Sequence, residues 1–108
     1  MANPNLVPAI VRVSRGSFDP VRFAEIEAMS RKTQGYLAPA IRQLPGLVSY
    51  FVGAAPSGSF THVSLWDSEA HAEQMSHLTQ MTEMARPEAE AVGVMFLPIV
   101  NYPIGWRV

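Results

Sequence analysis

Residues 46–78, GLVSYFVGAAPSGSFTHVSLWDSEAHAEQMSHL, carry the strongest structural signals in the sequence. Two runs rich in β-branched and aromatic residues, at 47–54 and 59–66, flank the tetrapeptide APSG at 55–58. Because Pro and Gly can turn the chain sharply between two such runs, this pattern predicts a β-hairpin.

A helix is predicted to follow the hairpin directly. Asp67 and Ser68 can each cap a helix N-terminus, and Glu69 places a negative charge in the first turn, where the backbone dipole favours it. The next positions recur at steps of four, three and three residues, the spacing of one side of an α-helix, and we expect this side to face the hairpin. A break near Leu78 is predicted because weak helix formers surround it. The recurring positions are His71, Met75, Leu78 and Met81.

The first half of the chain predicts a strand and a broken helix. Residues 7–15 are mostly apolar and indicate a buried strand. Asp19 is a good N-cap, and Pro20 stands at the first helical position, where its missing N–H costs nothing. We expect the helix that begins there to end at Gly35, and a short helix to restart at 36–43.

The last third of the chain completes the order βαββαβ. Pro87 begins a short helical segment, residues 94–100 predict a strand, and residues 104–108 predict a further short strand. Pro98 should lie at an edge or a bulge because it cannot donate to a strand ladder. This order folds into an antiparallel sheet with helices on one face. The sequence therefore predicts an α+β, ferredoxin-like protomer that forms a single domain over residues 1–108.

Neither face of the predicted hairpin is uniformly polar, so both faces need cover. One chain of 108 residues can cover only one of these faces with its own helices. Charged residues make up 16% of the sequence, against a usual figure of about 25%. We therefore expect a homodimer that joins through the second sheet face. In the second strand, the alternation points Phe60, His62, Ser64 and Trp66 to one face and Thr61, Val63 and Leu65 to the other. In the first strand, it points Val48, Tyr50 and Val52 to one face and Leu47, Ser49 and Phe51 to the other.

Several classes of protein are excluded by composition and spacing. The net charge is −1 and no basic stripe occurs, so no nucleic-acid partner is expected. There is no cysteine, and His71 and His77 lie on different sides of a helix, so no metal site is predicted. No signal peptide is recognisable, and no apolar run approaches the roughly 20 residues that span a bilayer. We expect a cytoplasmic protein without membrane contact.

Three features resemble the antibiotic biosynthesis monooxygenase family of dimeric α/β-barrel proteins. They are a short helix ending in Pro-Gly at 45–46, the hairpin that follows, and a second strand that ends in the sequence WDSE at 66–69. The resemblance covers nearly the whole chain. It implies a barrel built from two sheets, one from each protomer. It also implies a small aromatic ligand and a reaction that needs no cofactor. The same superfamily contains haem-degrading enzymes, isomerases and cyclases.

The resemblance also implies roles for individual residues. In quinone-forming oxygenases of the family, a Trp ends the second hairpin strand and an Asn lies four residues before it, both in the pocket between sheet and helices. Trp66 matches the Trp, and His62 stands at the Asn position, where it could act as a base. The haem-degrading branch uses residues that correspond to Ala9, Met75 and Ala85, so haem degradation is not implied.

Each candidate site residue also has a structural interpretation. His62 is either a general base or a half-buried strand histidine bonded to a neighbouring group. Trp66 either stacks on a flat substrate ring or fills the core beneath the second helix. Tyr36 could place its hydroxyl at the pocket mouth, and His71 either faces the pocket or is a satisfied core or interface residue. Arg12 either reaches water along a strand edge or pairs with a substrate anion or an acid of the partner chain.

The sequence thus favours a cofactor-independent monooxygenase of phenolic or polyketide-like aromatics, with His62 as base, Trp66 as a stacking wall, and Tyr36, His71 and Arg12 as polar groups that bind the substrate. Two alternatives remain open. One is a non-catalytic ligand-binding or stress-response dimer, since His62 replaces the Asn of the family. The other is an isomerase or cyclase in which His62 shuttles a proton without O₂.

Overall fold

The computed structural model describes residues 6–108 and has the predicted α+β, ferredoxin-like architecture. The sheet order is β2-β3-β1-β4, with β5 also pairing β1, and every described pairing is antiparallel. Residues 1–5, part of the segment in which we expected no signal peptide, lie outside the described residues. The strands are β1 (Ile10–Ser17), β2 (Leu47–Ala55), β3 (Ser59–Trp66), β4 (Met95–Phe96) and β5 (Val100–Pro103), and the α-helices are α1 (Phe23–Arg42), α2 (Glu69–Ala72) and α3 (Arg86–Ala91).

Helix α1 is continuous, so the predicted break at Gly35 is wrong. A 3₁₀ turn at Pro20–Arg22, capped by the Asp19 side chain, leads into 20 helical residues that include Pro39. The ring of Pro39 removes one hydrogen bond to the preceding turn, and Gly35 lies on the exposed side, where water can replace that bond. Burial of one continuous stripe outweighs the weak helix propensity of these residues. The stripe consists of Ile26, Met29, Thr33, Leu37 and Ile41.

The second helical region is segmented, and the predicted break at Leu78 is confirmed. Helix α2 passes into a 3₁₀ helix at Glu73–His77, and Leu78 then takes an extended conformation. A π-helical stretch, Gln80–Ala85, continues directly into α3, which has Pro87 near its start as predicted. The interruption lets this region bend over the sheet, so that it borders a cavity along its length.

The C-terminal strand prediction needs two corrections. Residues 94–100 do not form one strand, because β4 and β5 are separated around Pro98, which cannot donate to the ladder. Residues 104–108 form no strand. The pairing of β1 with β5 ends at Ile10 and Pro103, and the N–H of Ile104 makes one more bond, to the carbonyl of Ala9.

The two faces of the sheet differ in their cover, and the helices lie on only one of them. This inner face carries Ile10, Arg12, His62 and Trp66. One facing prediction is corrected: Leu47 lies on the inner face with Tyr50, because a bulge between Leu47 and Ser49 shifts the alternation of β2. The opposite side, termed here the outer face, carries an apolar patch of Val11, Val13, Phe51, Val63, Leu65, Val100 and Tyr102, and Arg15, Ser49 and Thr61 lie on the same side.

Two glycines are expected to respond to alanine with opposite signs. Gly46 has a φ of +83°, and an added methyl group would collide with the side chains of His71 and Asp67. Gly46→Ala should therefore lower the free energy of unfolding by about 2–4 kcal/mol. Gly35 is helical, and an added methyl group would meet nothing within 4 Å. Gly35→Ala should raise the free energy of unfolding by about 0.5–1 kcal/mol. Urea denaturation of both variants checks the pair, and equal effects would contradict it.

Candidate functional site

A mainly apolar cavity, termed here the chamber, lies between the inner face and the helices. Its volume is about 80 Å³. Helix α1, the segmented helical region and the three long strands all contribute to its wall. The lining residues are Arg12, Ser14, Met29, Thr33, Leu37, Tyr50, Phe60, His62, Ser64, Met75, Ser76, Met81, Thr82, Ala85, Arg86, Ala89, Phe96 and Ile99.

A larger cavity, termed here the groove, runs between α1 and the edge strand β2. Its volume is about 410 Å³. Residues that line only the groove are Ser30, Gln34, Ala38, Ile41, Arg42, Leu47, Ser49 and Val52. Four residues line both cavities and therefore form the wall between them: Thr33, Leu37, Tyr50 and His62.

His62 and Tyr50 form a hydrogen-bonded pair in this wall. Tyr50 Oη lies 2.7 Å from His62 Nδ1, and the two rings meet edge to face. Burial lowers the pKa of His62 to about 4, because the charged imidazolium would lose its hydration. Burial also raises the pKa of Tyr50 well above its usual value, and the positive charge of Arg12 opposes that rise. At neutral pH the pair therefore consists of a neutral imidazole and a protonated phenol.

Arg12 is buried in mid-strand and is held by several side chains of its own chain. Its Nη1 donates to Asn101 Oδ1 at 3.1 Å and to Glu73 Oε1 at 3.3 Å, and its Nη2 donates to Ser76 Oγ at 2.9 Å. The network joins β1, β5 and the 3₁₀ helix. The sequence suggested water, a substrate anion or an acid of the partner chain as partners of Arg12, and the structure instead forms an ion pair with Glu73 of the same chain. The same guanidinium also lines the chamber.

Arg86 brings a second guanidinium to the chamber wall. Its guanidinium carbon lies 4.4 Å from the ring centre of Phe96, which is a cation–π contact, and its Nε lies 4.0 Å from a carboxylate oxygen of Glu90. The sequence did not single out this residue. Arg12 and Arg86 thus place two guanidinium groups, each with a carboxylate nearby, at the wall of a mainly apolar cavity.

Trp66 lies behind the chamber and lines neither cavity. Its side chain is fully buried in the core among Ile10, Leu47 and Met75, and its Nε1 donates to Ser64 Oγ at 2.8 Å. Because Ser64 itself lines the chamber, the indole supports the wall from the side away from the cavity. The sequence allowed Trp66 either to stack on a substrate ring or to fill the core. In the structure it fills the core.

Tyr36 and His71 also lie outside both cavities. Tyr36 donates to Glu88 Oε1 at 3.0 Å and thereby joins α1 to α3, and burial raises its pKa to about 12. The Nδ1 of His71 lies 2.6 Å from Asp67 Oδ1 at the start of α2, with 40% of the side chain exposed. Among the predicted site residues, the structure brings together only His62 and Arg12 at the chamber.

Two classes of site are absent from the part of the chain that the structure describes. Within residues 6–108, no group of three or more His, Asp or Glu side chains is arranged to hold a metal ion. No helix in this range is both long enough and apolar enough to cross a membrane.

The buried neutral His62 predicts a loss of stability in acid. Its pKa is lowered from the ordinary 6.5 to about 4, so below pH 6.5 the unfolded chain binds a proton that the folded chain does not. Stability should therefore fall as the pH is lowered from 6.5 to 4, by about 3 kcal/mol from this group. The difference in unfolding free energy between wild type and His62→Asn, followed by urea denaturation across this range, measures it. A constant difference would contradict the prediction.

Comparison with solved structures finds matches over nearly the whole length of this chain, whereas comparison of the sequence finds none. No protein-family model matches the sequence, and no curated protein is significantly similar to it. A protein from Deinococcus radiodurans assigned as an antibiotic biosynthesis monooxygenase superposes with a TM-score of 0.69 and 25% identity, over 92% of this chain and 95% of the other. The chain has the fold of the antibiotic biosynthesis monooxygenases. The predicted resemblance is confirmed at this level.

Two further structures with the antibiotic biosynthesis monooxygenase fold have described activities. SnoaB from Streptomyces nogalater, a cofactor-independent oxygenase, superposes with a TM-score of 0.66 and 13% identity over 94% of this chain and 98% of its own. The ActVA-Orf6 monooxygenase of Streptomyces coelicolor, solved in complex with nanaomycin D, superposes with a TM-score of 0.66 and 18% identity over 94% of this chain and 91% of its own. At these identities the comparison shows a shared fold.

Proposed function

We propose that this protein is a cofactor-independent monooxygenase that oxidises a small phenolic or polyketide-like aromatic at His62. The observation that carries the proposal is the neutral imidazole of His62, whose pKa is lowered to about 4 by desolvation, in the wall of a mainly apolar cavity that two guanidinium groups also line. The fold supports it, because SnoaB is a cofactor-independent oxygenase and ActVA-Orf6 is a monooxygenase that binds nanaomycin D.

The first step is removal of the phenolic proton by His62. A histidine with a pKa of about 4 is a weak base by itself. When it takes a proton from a bound phenol, however, the product is an ion pair of imidazolium and phenolate, and each charge stabilises the other in a water-poor cavity. Arg12 and Arg86 add positive charge near the phenolate. The site therefore favours formation of an electron-rich anion.

The second step is transfer of electrons from that anion to O₂. The phenolate gives one electron to O₂, and the resulting aryloxyl radical and superoxide combine at the ring carbon para to the oxygen. The peroxide formed takes the proton from His62. Loss of the para hydrogen to His62, with cleavage of the O–O bond, leaves a ring carbonyl, and the departing hydroxide takes that proton. One phenol and one O₂ become one quinone and one water, so no other reductant or oxidant is needed.

We also propose that the working form is a homodimer joined through the outer face. Among residues 6–108 the helices lie on the other side of the sheet, and on this face Phe51 and Tyr102 are 61% and 52% exposed. A surface of this kind is unusual on a soluble monomer, and a second copy of the same face covers it with matching apolar side chains. The chamber lies on the other side of the sheet, so each protomer keeps its own site.

Oxygen consumption with a panel of naphthols that have a free para position tests the proposed activity. We expect O₂ uptake by chelator-treated protein in buffer without added cofactor, with one atom of ¹⁸O from ¹⁸O₂ in the quinone. Absence of uptake with every phenol that binds would contradict the proposal. Conversion of a phenol under nitrogen would instead favour an isomerase or cyclase.

One observation favours a second candidate, a ligand-binding protein without turnover. Within residues 6–108, Tyr50 is the hydrogen-bond partner that the structure gives to His62, and no carboxylate orients the imidazole as in many acid–base sites. Binding of naphthols with no O₂ uptake and no anaerobic conversion would support this candidate over the oxygenase.

A further inference from the structure

The chamber is too small for an aromatic ring while its walls stand as they do. Apolar protein cavities that bind benzene have volumes of about 150 Å³, and sites for small molecules span about 300–1,000 Å³. The chamber, at about 80 Å³, falls below both figures, whereas the groove, at about 410 Å³, lies inside the second range. A ring that reaches His62 must therefore use space that belongs to the groove.

The wall between the two cavities has one movable part. Thr33 and Leu37 belong to the long helix α1, where both are buried, and the Thr33 hydroxyl bonds to the carbonyl of Ser30. His62 lies on β3, which is paired on both sides. Tyr50 lies on the edge strand β2, which is paired only with β3, and its hydroxyl is held by the bond to His62. Because Tyr50 lines both cavities, rotation of its side chain away from His62 would open a connection between chamber and groove.

We propose that the groove is the binding site for the body of a phenolic ligand, and that Tyr50 holds the position on His62 that the ligand hydroxyl takes when it binds. This rests on the proposed function only in taking a phenol as the substrate class. Tyr50 is itself a phenol placed 2.7 Å from the imidazole. A phenolic ligand that displaces it exchanges one hydrogen bond for another of the same kind, whereas an aryl ether cannot donate a proton to that nitrogen.

Removal of the Tyr50 hydroxyl should therefore strengthen binding. We expect Tyr50→Phe to bind 1-naphthol about tenfold more tightly than wild type, because the ligand no longer competes with an internal hydroxyl and satisfies an otherwise unpaired imidazole nitrogen. Isothermal titration calorimetry under nitrogen measures the Kd without turnover. Tyr36→Phe is the matched control, since that hydroxyl is also hydrogen-bonded but lines neither cavity, and its Kd should equal that of wild type. An unchanged or weaker affinity in Tyr50→Phe would overturn the proposal.

A second variant tests the groove without altering the Tyr50–His62 pair. Ala38 lines the groove on α1, and Ala38→Trp should weaken 1-naphthol binding at least about tenfold by filling it. Ala28 is exposed on the same helix and lines neither cavity, so Ala28→Trp should have no effect. Equal Kd values for the two variants would contradict binding in the groove. All these titrations exclude O₂, so they measure binding separately from turnover. Lack of O₂ uptake would contradict the proposed oxygenase activity but not ligand binding in the groove. Unchanged Kd values in the variants would contradict binding in the groove but not the oxygenase activity.

Discussion

Replacing His62 by Ala is expected to lower kcat/KM for O₂-dependent oxidation of a naphthol by about 10²- to 10⁴-fold, the usual contribution of a positioned general base. The imidazole is the only histidine side chain lining the chamber, within the described residues 6–108. Without it, no imidazole of the described residues in the chamber wall can accept the phenol proton. The oxygen electrode gives the rate, and quinone absorbance gives the product.

The matched control for that variant is His71→Ala. His71 is paired with Asp67 at the start of α2 and lines neither cavity, so its loss should leave kcat/KM within about twofold of wild type. If His62→Ala keeps the wild-type rate, or if both variants lose activity to the same extent, then His62 is not the base.

Placing a charge at the centre of the outer face is expected to abolish dimerisation. Val63 on β3 lies between Val13 and Phe51 in the strand register, so Val63→Lys puts an ammonium group in the middle of the apolar patch. Two-fold symmetry buries this group twice in the dimer, and each unpaired buried charge costs several kcal/mol. Sedimentation equilibrium at about 10 μM should give a dimer for wild type and an 11.9 kDa monomer for the variant.

The control for the interface uses another valine. Val21 is 91% exposed in the 3₁₀ turn before α1 and belongs to no strand, so Val21→Lys should remain a dimer. A wild-type protein that sediments as a monomer at this concentration would contradict the proposed assembly, whatever the variants do.

The fold was predictable where the signals were local and failed where tertiary packing decided. The hairpin, the Asp19 cap and the break at Leu78 depend on a few neighbouring residues, and all three are observed. Continuity of α1 depends on one buried stripe that extends past Gly35, which local propensity does not register. The missing strand at 104–108 depends on how far β1 extends, and that length is set by a distant part of the chain.

The chamber was predictable only in part, for the same reason. His62 and Arg12 follow from strand alternation, which places both on the face that the helices cover. The pairing of Tyr50 with His62 depends on the register of two strands and on the bulge in β2. Neither can be predicted from a single sequence. Trp66 shares the face of His62, but it lies at the end of β3 where α2 begins, and burial in that corner separates it from the cavity.

A crystal structure of the protein with 1-naphthol bound tests the central claim most directly. We expect the naphthol hydroxyl within about 3 Å of His62 Nδ1, the ring system extending into the groove beside α1, and the Tyr50 side chain rotated away from His62. Naphthol bound elsewhere, with the Tyr50–His62 hydrogen bond intact, would contradict the assignment of this chamber as the site.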